Sequence, residues 1–197
     1  VFLRLREDVD ARRVLRGGER SATVADTWAG EVLQQLADPR QAFTLAVGPY
    51  RVRLTHLDRV YWPADPGLDT PALTKRDLLR YLAQVSPHML PHLADRPLTM
   101  IRMPEGIHGE RFYQKHWEPP LPEFAESVTI FSESRDERQD YLLCNNLPTL
   151  LWLAQNGTLE LPVWHSRTKP GPDSPNDNTD YATSLETLEA SIATIRP

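Results

Sequence analysis

The chain has 197 residues, 40% hydrophobic and 25% charged, with 22 basic residues against 27 acidic ones and a net charge of −5. A chain of this size buries roughly 70% of its unfolded surface, enough for one core and no more than two domains. The longest apolar run, residues 147–154, falls short of the ~18–20 residues a bilayer span requires, and the net acidity confines any contact with a polyanion to a local patch.

Residues 1–8 alternate apolar and charged side chains with the period of a half-buried strand. Residues 10–41 turn to Arg, Gly, Ser, Thr and Ala, with Gly17-Gly18 as a break and Asp38-Pro39 as a turn, and read as a linker with one short helix around residues 31–36. A second globular unit opens near Tyr50 with the strand pattern Tyr50-Arg51-Val52-Arg53-Leu54. Residues 71–93 read as helical, with Thr74 as N-cap and Asp77 three residues on, and Ser86-Pro87 splits the stretch into two short helices.

Residues 98–103 and 111–115 flank Pro104-Glu105-Gly106 and predict a hairpin with a long tip; residues 128–131 and 141–144 repeat that pattern. Residues 147–155 predict an apolar helix closed by Asn156-Gly157, followed by a strand over residues 158–166. Residues 168–180 read as a Pro/Asn/Asp loop and 181–195 as a polar helix. The unit is α+β. Cys144 is the sole cysteine, so no internal disulfide forms, and with no leader pattern visible a cytoplasmic location is expected.

Lys75 is the most informative single residue. A cation in the first turn of a helix opposes the macrodipole by ~0.3–1 kcal/mol, and something must offset that cost. A phosphate on the free amides of the helix start does so; a solvated surface lysine is the plainer alternative. Only three of the basic residues are lysines. Phe112 and Tyr113 are consecutive on a strand, so their rings point to opposite faces and only one is expected in the core. The other is either a stacking platform for a base, with Lys115 beside it, or a ring that covers the hairpin. His116-Trp117 extends the same surface on the first reading. Arg102 is either a phosphate contact or a surface ion pair. His88 and His92 have Pro91 between them and do not make a zinc pair, Trp152 and Cys144 belong to the core, and no Gly-rich phosphate loop or nucleophile elbow occurs.

The order of segments from residue 51 to about 167 resembles the start of the polymerase domain of bacterial DNA ligase D. The resemblance rests on Leu54-Thr55-His56-Leu57-Asp58-Arg59-Val60-Tyr61-Trp62-Pro63, Thr74-Lys75-Arg76-Asp77, Leu90-Pro91-His92-Leu93-Ala94-Asp95-Arg96-Pro97, Phe112-Tyr113-Gln114-Lys115 and Trp164-His165-Ser166-Arg167. It implies an incomplete archaeo-eukaryotic primase-polymerase fold, a mixed or antiparallel sheet with packed helices. It further implies a repair protein that extends and seals DNA ends in non-homologous end joining, with manganese or magnesium and a nucleoside triphosphate in the complete domain. DNA ends with a 5′-phosphate and the protein Ku are the partners it implies, in a bacterial, nucleoid-associated setting. Phe2-Leu3-Arg4-Leu5-Arg6-Glu7-Asp8 is similar to the last motif of a ligase OB domain. The implied division is residues 1–16 as that domain's tail, 17–48 as linker and 49–197 as the first part of the polymerase domain; a chain that starts at Val1 then reads as a fragment.

Carried over by position, the resemblance makes Lys75 and Arg59 the contacts to the 5′-phosphate and Phe112 and Tyr113 the template-stacking pair, with Lys115, Arg102 and Arg167 as further phosphate contacts. Pro162 stands where the family has a histidine, and Ile101 where a lysine is common. The family's metal-binding Asp-x-Asp has no counterpart in residues 49–197; the sole Asp-x-Asp is Asp8-Val9-Asp10. No catalytic or metal residue is therefore assigned, and transfer would lack the two-metal centre it needs. A noncatalytic DNA-end-binding module and an inactive truncated product are the alternatives.

Overall fold

The computed structural model describes residues 24–67, 69–117, 120–132 and 137–168. The expected strand at residues 1–8, the ligase-like tail, the loop after Thr168 and the helix at 181–195 lie outside the described residues.

Inside the expected linker, the short helix expected around residues 31–36 is the end of a longer helix, α1 (Val24–Gln35), and strand β1 (Phe43–Val47) follows it. The start of that helix is thereby corrected to residue 24. Ala29, Val32 and Leu36 are buried at helical spacing, and Leu45 and Val47 at strand spacing. Gln35 completes the junction, donating from Nε2 to the Ala46 carbonyl and accepting from the Ala46 N–H, both at 2.8 Å. The signal was diluted because the apolar positions of α1 are interspersed with Asp, Thr, Gly, Glu and Gln. Strand β2 (Tyr50–Leu54) pairs antiparallel with β1 through a tight turn, with Val52 and Leu54 inward.

Strands β3 (Val60–Trp62) and β4 (Leu73–Thr74) pair and lead into helix α2 (Lys75–Leu93). The expected capping box is present, with Thr74 Oγ1 accepting from the Asp77 N–H and Asp77 Oδ2 accepting from the Thr74 N–H. The expected break at Ser86-Pro87 does not occur, and α2 is one helix with Pro87 and Pro91 inside it. Pro87 has no N–H for the Ala83 carbonyl. The buried Ser86 hydroxyl supplies that donor at 2.9 Å, so the carbonyl stays paired and the helix continues.

Strand β5 (Met100–Arg102) lies between β6 (Phe112–Gln114) and β9 (Thr158–Glu160), antiparallel to both. The predicted hairpin is therefore β5–β6. Gly106 at φ +91° seats its tip on β3, where a Cβ would stand 2.9 Å from the Val60 and Tyr61 carbonyl oxygens. Strands β7 (Glu126–Ser132) and β8 (Glu137–Leu143) form the second predicted hairpin. Strand β9 is shorter than expected. Beyond Glu160 the pairing is reduced to a Leu98–Val163 bridge with bonds to the Pro162 and Pro97 carbonyls, because Pro162 cannot donate.

Helix α3 (Leu147–Gln155) is apolar all round and sits in the core, as its sequence predicts, with Leu150, Leu151, Leu153 and Ala154 buried. Gly157 at φ +80° ends it, and a Cβ there would meet Pro104 Cα at 2.8 Å. Leu79, Leu82 and Ala83 of α2 and the fully buried Cys144 complete the same cluster. Among the described residues no helix is long and apolar enough to cross a membrane.

Candidate nucleic-acid interface

The start of α2 is closed, contrary to the expectation of free amides. The N–H of Lys75 donates to the Arg59 carbonyl at 2.9 Å and that of Arg76 to the Leu57 carbonyl at 3.0 Å, while Asp77 is capped by Thr74. The Lys75 side chain is neither solvated nor free; the residue is only 4% exposed. Its ammonium donates to the carbonyls of Thr55 at 3.2 Å and Gln155 at 3.0 Å and lies 5.8 Å from the centre of the Tyr61 ring. The cost of a cation at the α2 N-terminus is thus offset by the C-terminal carbonyls of α3, where a cation is favoured. Burial, with added repulsion from Arg59, pushes the Lys75 amine down to about 8.

Tyr61, beneath that ammonium, was not singled out by its sequence position. Its phenol is buried without a hydrogen-bond partner, and burial pushes it up to about 12. Arg59 is tied to the hairpin tip, donating from Nη1 to the Pro104 carbonyl at 2.9 Å and to Glu105 Oε1 at 2.6 Å. Arg59 and Lys75 therefore flank one spot, and both heads are engaged by protein oxygens.

The Arg102 side chain is engaged by protein acceptors and, among the described residues, makes no ion pair. Its Nε donates to the Asn156 carbonyl at 2.9 Å, its Nη1 to Gln114 Oε1 at 2.8 Å, and it lies 5.2 Å from the Trp117 ring centre. Arg167 donates to the carbonyls of Ala94 and Pro91, both at 3.0 Å, and so caps the C-terminus of α2. These two side chains hold helix ends.

Phe112 and Tyr113 depart from the expectation that one ring is in the core. Both are exposed, at 44% and 64%. Their rings do point to opposite faces, but among the described residues β6 is the edge of its sheet and neither face is covered there. Lys115 follows them, also exposed. His116 and Trp117 do not extend this surface. They are half-buried, with His116 4.8 Å from Tyr141 and Trp117 4.5 Å from Trp152, ring centre to ring centre. Trp152 is correspondingly half-buried against the core rather than inside it. Ile101 is buried and Pro162 exposed, so neither place presents a cation or imidazole. Among the described residues no group of three or more His, Cys, Asp or Glu side chains is placed to hold a metal ion.

What the surface offers is two exposed aromatic rings beside an exposed cation, with two further cations bonded to protein oxygens near Tyr61. The first combination suits an unpaired base and its backbone, and the second suits an anion able to compete with carbonyl oxygens.

Comparison with known proteins bears on this surface. The family model described as LigD, primase-polymerase domain, matches residues 74–183. The bifunctional non-homologous end joining protein LigD of Bacillus subtilis (strain 168) is 31% identical over 113 residues, 57% of this chain and 16% of that protein. The multifunctional LigD of Mycolicibacterium smegmatis is 33% identical over 125 residues, 64% of this chain and 15% of its own length. This chain thus spans about a sixth of those relatives. A solved structure, the polymerase domain from Mycobacterium tuberculosis ligase D in complex with DNA, matches at 32% identity with a TM-score of 0.52, covering 64% of this chain and 41% of that one.

Proposed function

The chain belongs to the LigD primase-polymerase family, and from that membership we propose that it grips DNA ends for a non-homologous end-joining repair polymerase. The observation that carries the proposal is the exposed pair Phe112 and Tyr113 on an edge strand, with Lys115 next to it. Two large rings cost hydrophobic free energy when left in water, and an unstacked template base recovers it. The DNA held by the M. tuberculosis relative supports the same ligand class.

The 5′-phosphate is assigned to Lys75 and Arg59. Reaching it requires the Lys75 ammonium to leave the Thr55 and Gln155 carbonyls and Arg59 to leave Glu105. A phosphate dianion is a stronger acceptor than a neutral carbonyl, which supports the exchange. Lys115 serves the backbone nearer the aromatic pair. Arg102 and Arg167 take structural roles in this reading, Arg102 tying the α3 C-cap carbonyl to Gln114 on β6 and Arg167 capping α2.

Nucleotidyl transfer with manganese or magnesium and a nucleoside triphosphate is the proposed activity of the complete domain. Among the described residues no group of three or more His, Cys, Asp or Glu side chains is placed to hold such a metal. Ku as protein partner and a bacterial cytoplasmic setting near the nucleoid follow from family membership, and the division into a ligase OB tail at 1–16, a linker at 17–48 and the polymerase domain from 49 is kept as part of the proposal. Fluorescence anisotropy tests the proposal: the chain binds a duplex carrying a template overhang and a recessed 5′-phosphate more tightly than a blunt duplex of equal length. Equal affinity for the two would contradict it.

A further inference from the structure

Arg102 reaches three residues at once. It donates to Asn156 at the C-cap of α3 and to Gln114 on β6, and it stacks over Trp117, which packs on Trp152 of α3. Gln114 passes the tie on, donating from Nε2 to the His116 carbonyl at 2.8 Å. Arg102 is also the direct cross-strand partner of Phe112, with Tyr113 opposite Ile101 and Gln114 opposite Met100. Arg102, Phe112 and Gln114 therefore share one face of the sheet, and Tyr113 lies on the other.

We propose that Arg102 is a positioning residue that holds β6 at the angle and register in which Phe112 and Tyr113 meet a base, and that its guanidinium contacts no phosphate. The inference rests on the reading of that pair as a stacking platform. Strand β6 has three residues and one strand partner, β5. A pairing that short is weak by itself, and side-chain ties decide how firmly it stays. The half-buried guanidinium has been stripped of water, which lowers its pKa, and its protein acceptors offset that loss. A planar fork can bond two acceptors and stack on an indole together; a lysine ammonium is a point charge that cannot.

Arg102→Lys and Arg102→Gln separate positioning from phosphate contact, with Gln114→Ala as a third variant that breaks the same tie without touching the arginine. By hydrogen exchange, the amides of residues 112–114 exchange about tenfold faster in all three, while those of α1 are unchanged. In anisotropy titrations on a template overhang, Lys and Gln at position 102 weaken binding alike, by about tenfold, with an unchanged salt slope. Wild-type affinity in Arg102→Lys, a salt slope lowered by about one ion in Arg102→Gln, or unaltered exchange at 112–114 would each overturn the proposal. Should the arginine variants fail to fold, Gln114→Ala carries both measurements. If Phe112→Ala and Tyr113→Ala bind the overhang as wild type does, the stacking reading fails, and the exchange data alone decide the role of Arg102.

Discussion

The ammonium of Lys75 donates to the carbonyl of Gln155 at 3.0 Å, joining the first turn of α2 to the last turn of α3 across 80 residues of sequence. Burial of that ammonium, with repulsion from Arg59, pushes the amine down to about 8. Its pKa is lower folded than unfolded, so the unfolded chain binds more protons between pH ~8 and ~10.5 and stability rises with pH across that window. The thermal midpoint of the wild type is expected to gain on going from pH 7.5 to 9.5 relative to Lys75→Met, in which that linkage is gone. Parallel pH profiles for the two proteins would place the Lys75 amine in water.

The proposed phosphate capture by Lys75 inherits that titration. The preference for a 5′-phosphate over a 5′-hydroxyl end, measured as a ratio of Kd values, is expected to fall as pH rises through the Lys75 pKa. A ratio flat from pH 7 to 9.5 would take the phosphate away from this residue. Lys75→Ala abolishes the preference and lowers the salt slope on phosphorylated DNA by about one ion.

The continuity of α2 rests on one hydroxyl. Ser86→Ala leaves the buried Ala83 carbonyl without a donor and is expected to cost ~1–3 kcal/mol in urea unfolding. Adding Pro87→Ala restores a backbone N–H in register with that carbonyl, so the double variant is more stable than Ser86→Ala alone. Additive losses would show that the hydroxyl is not the substitute donor.

Cys144 is fully buried, and burial pushes its thiol up to about 12. Little thiolate exists at pH 8, and no reagent reaches it without opening the core. Ellman's reagent is expected to label the native protein at the rate of unfolding and the denatured protein within the mixing time. Prompt labelling of native protein would contradict the core assignment of β8 and α3.

Local patterning carried much of the fold. The Thr74–Asp77 capping box, the two hairpins and the Asn156-Gly157 stop are each written in neighbouring residues. The continuous α2 was not legible, because Pro87 signals a break and only the geometry of Ser86 shows how its missing donor is replaced. The α1–β1 segment hid behind small and polar residues, and its role appears once Gln35 meets Ala46. At the site, alternation placed Phe112 and Tyr113 on opposite faces, but whether the second face is covered depends on which strand is the sheet edge. Lys75 was legible as an anomaly. Its resolution by Gln155, and the attachment of Arg102 to Asn156, are long-range contacts for which no spacing rule exists.

The central claim is that β6 presents its aromatic pair to an unpaired template base. Its most direct test is anisotropy titration of one labelled overhang duplex with wild type, Phe112→Ala and Tyr113→Ala, each confirmed folded by its thermal midpoint. Loss of ~1–3 kcal/mol of overhang binding in at least one variant, with blunt-duplex binding and stability little changed, is the predicted result. Overhang affinity equal to wild type in both folded variants would contradict it.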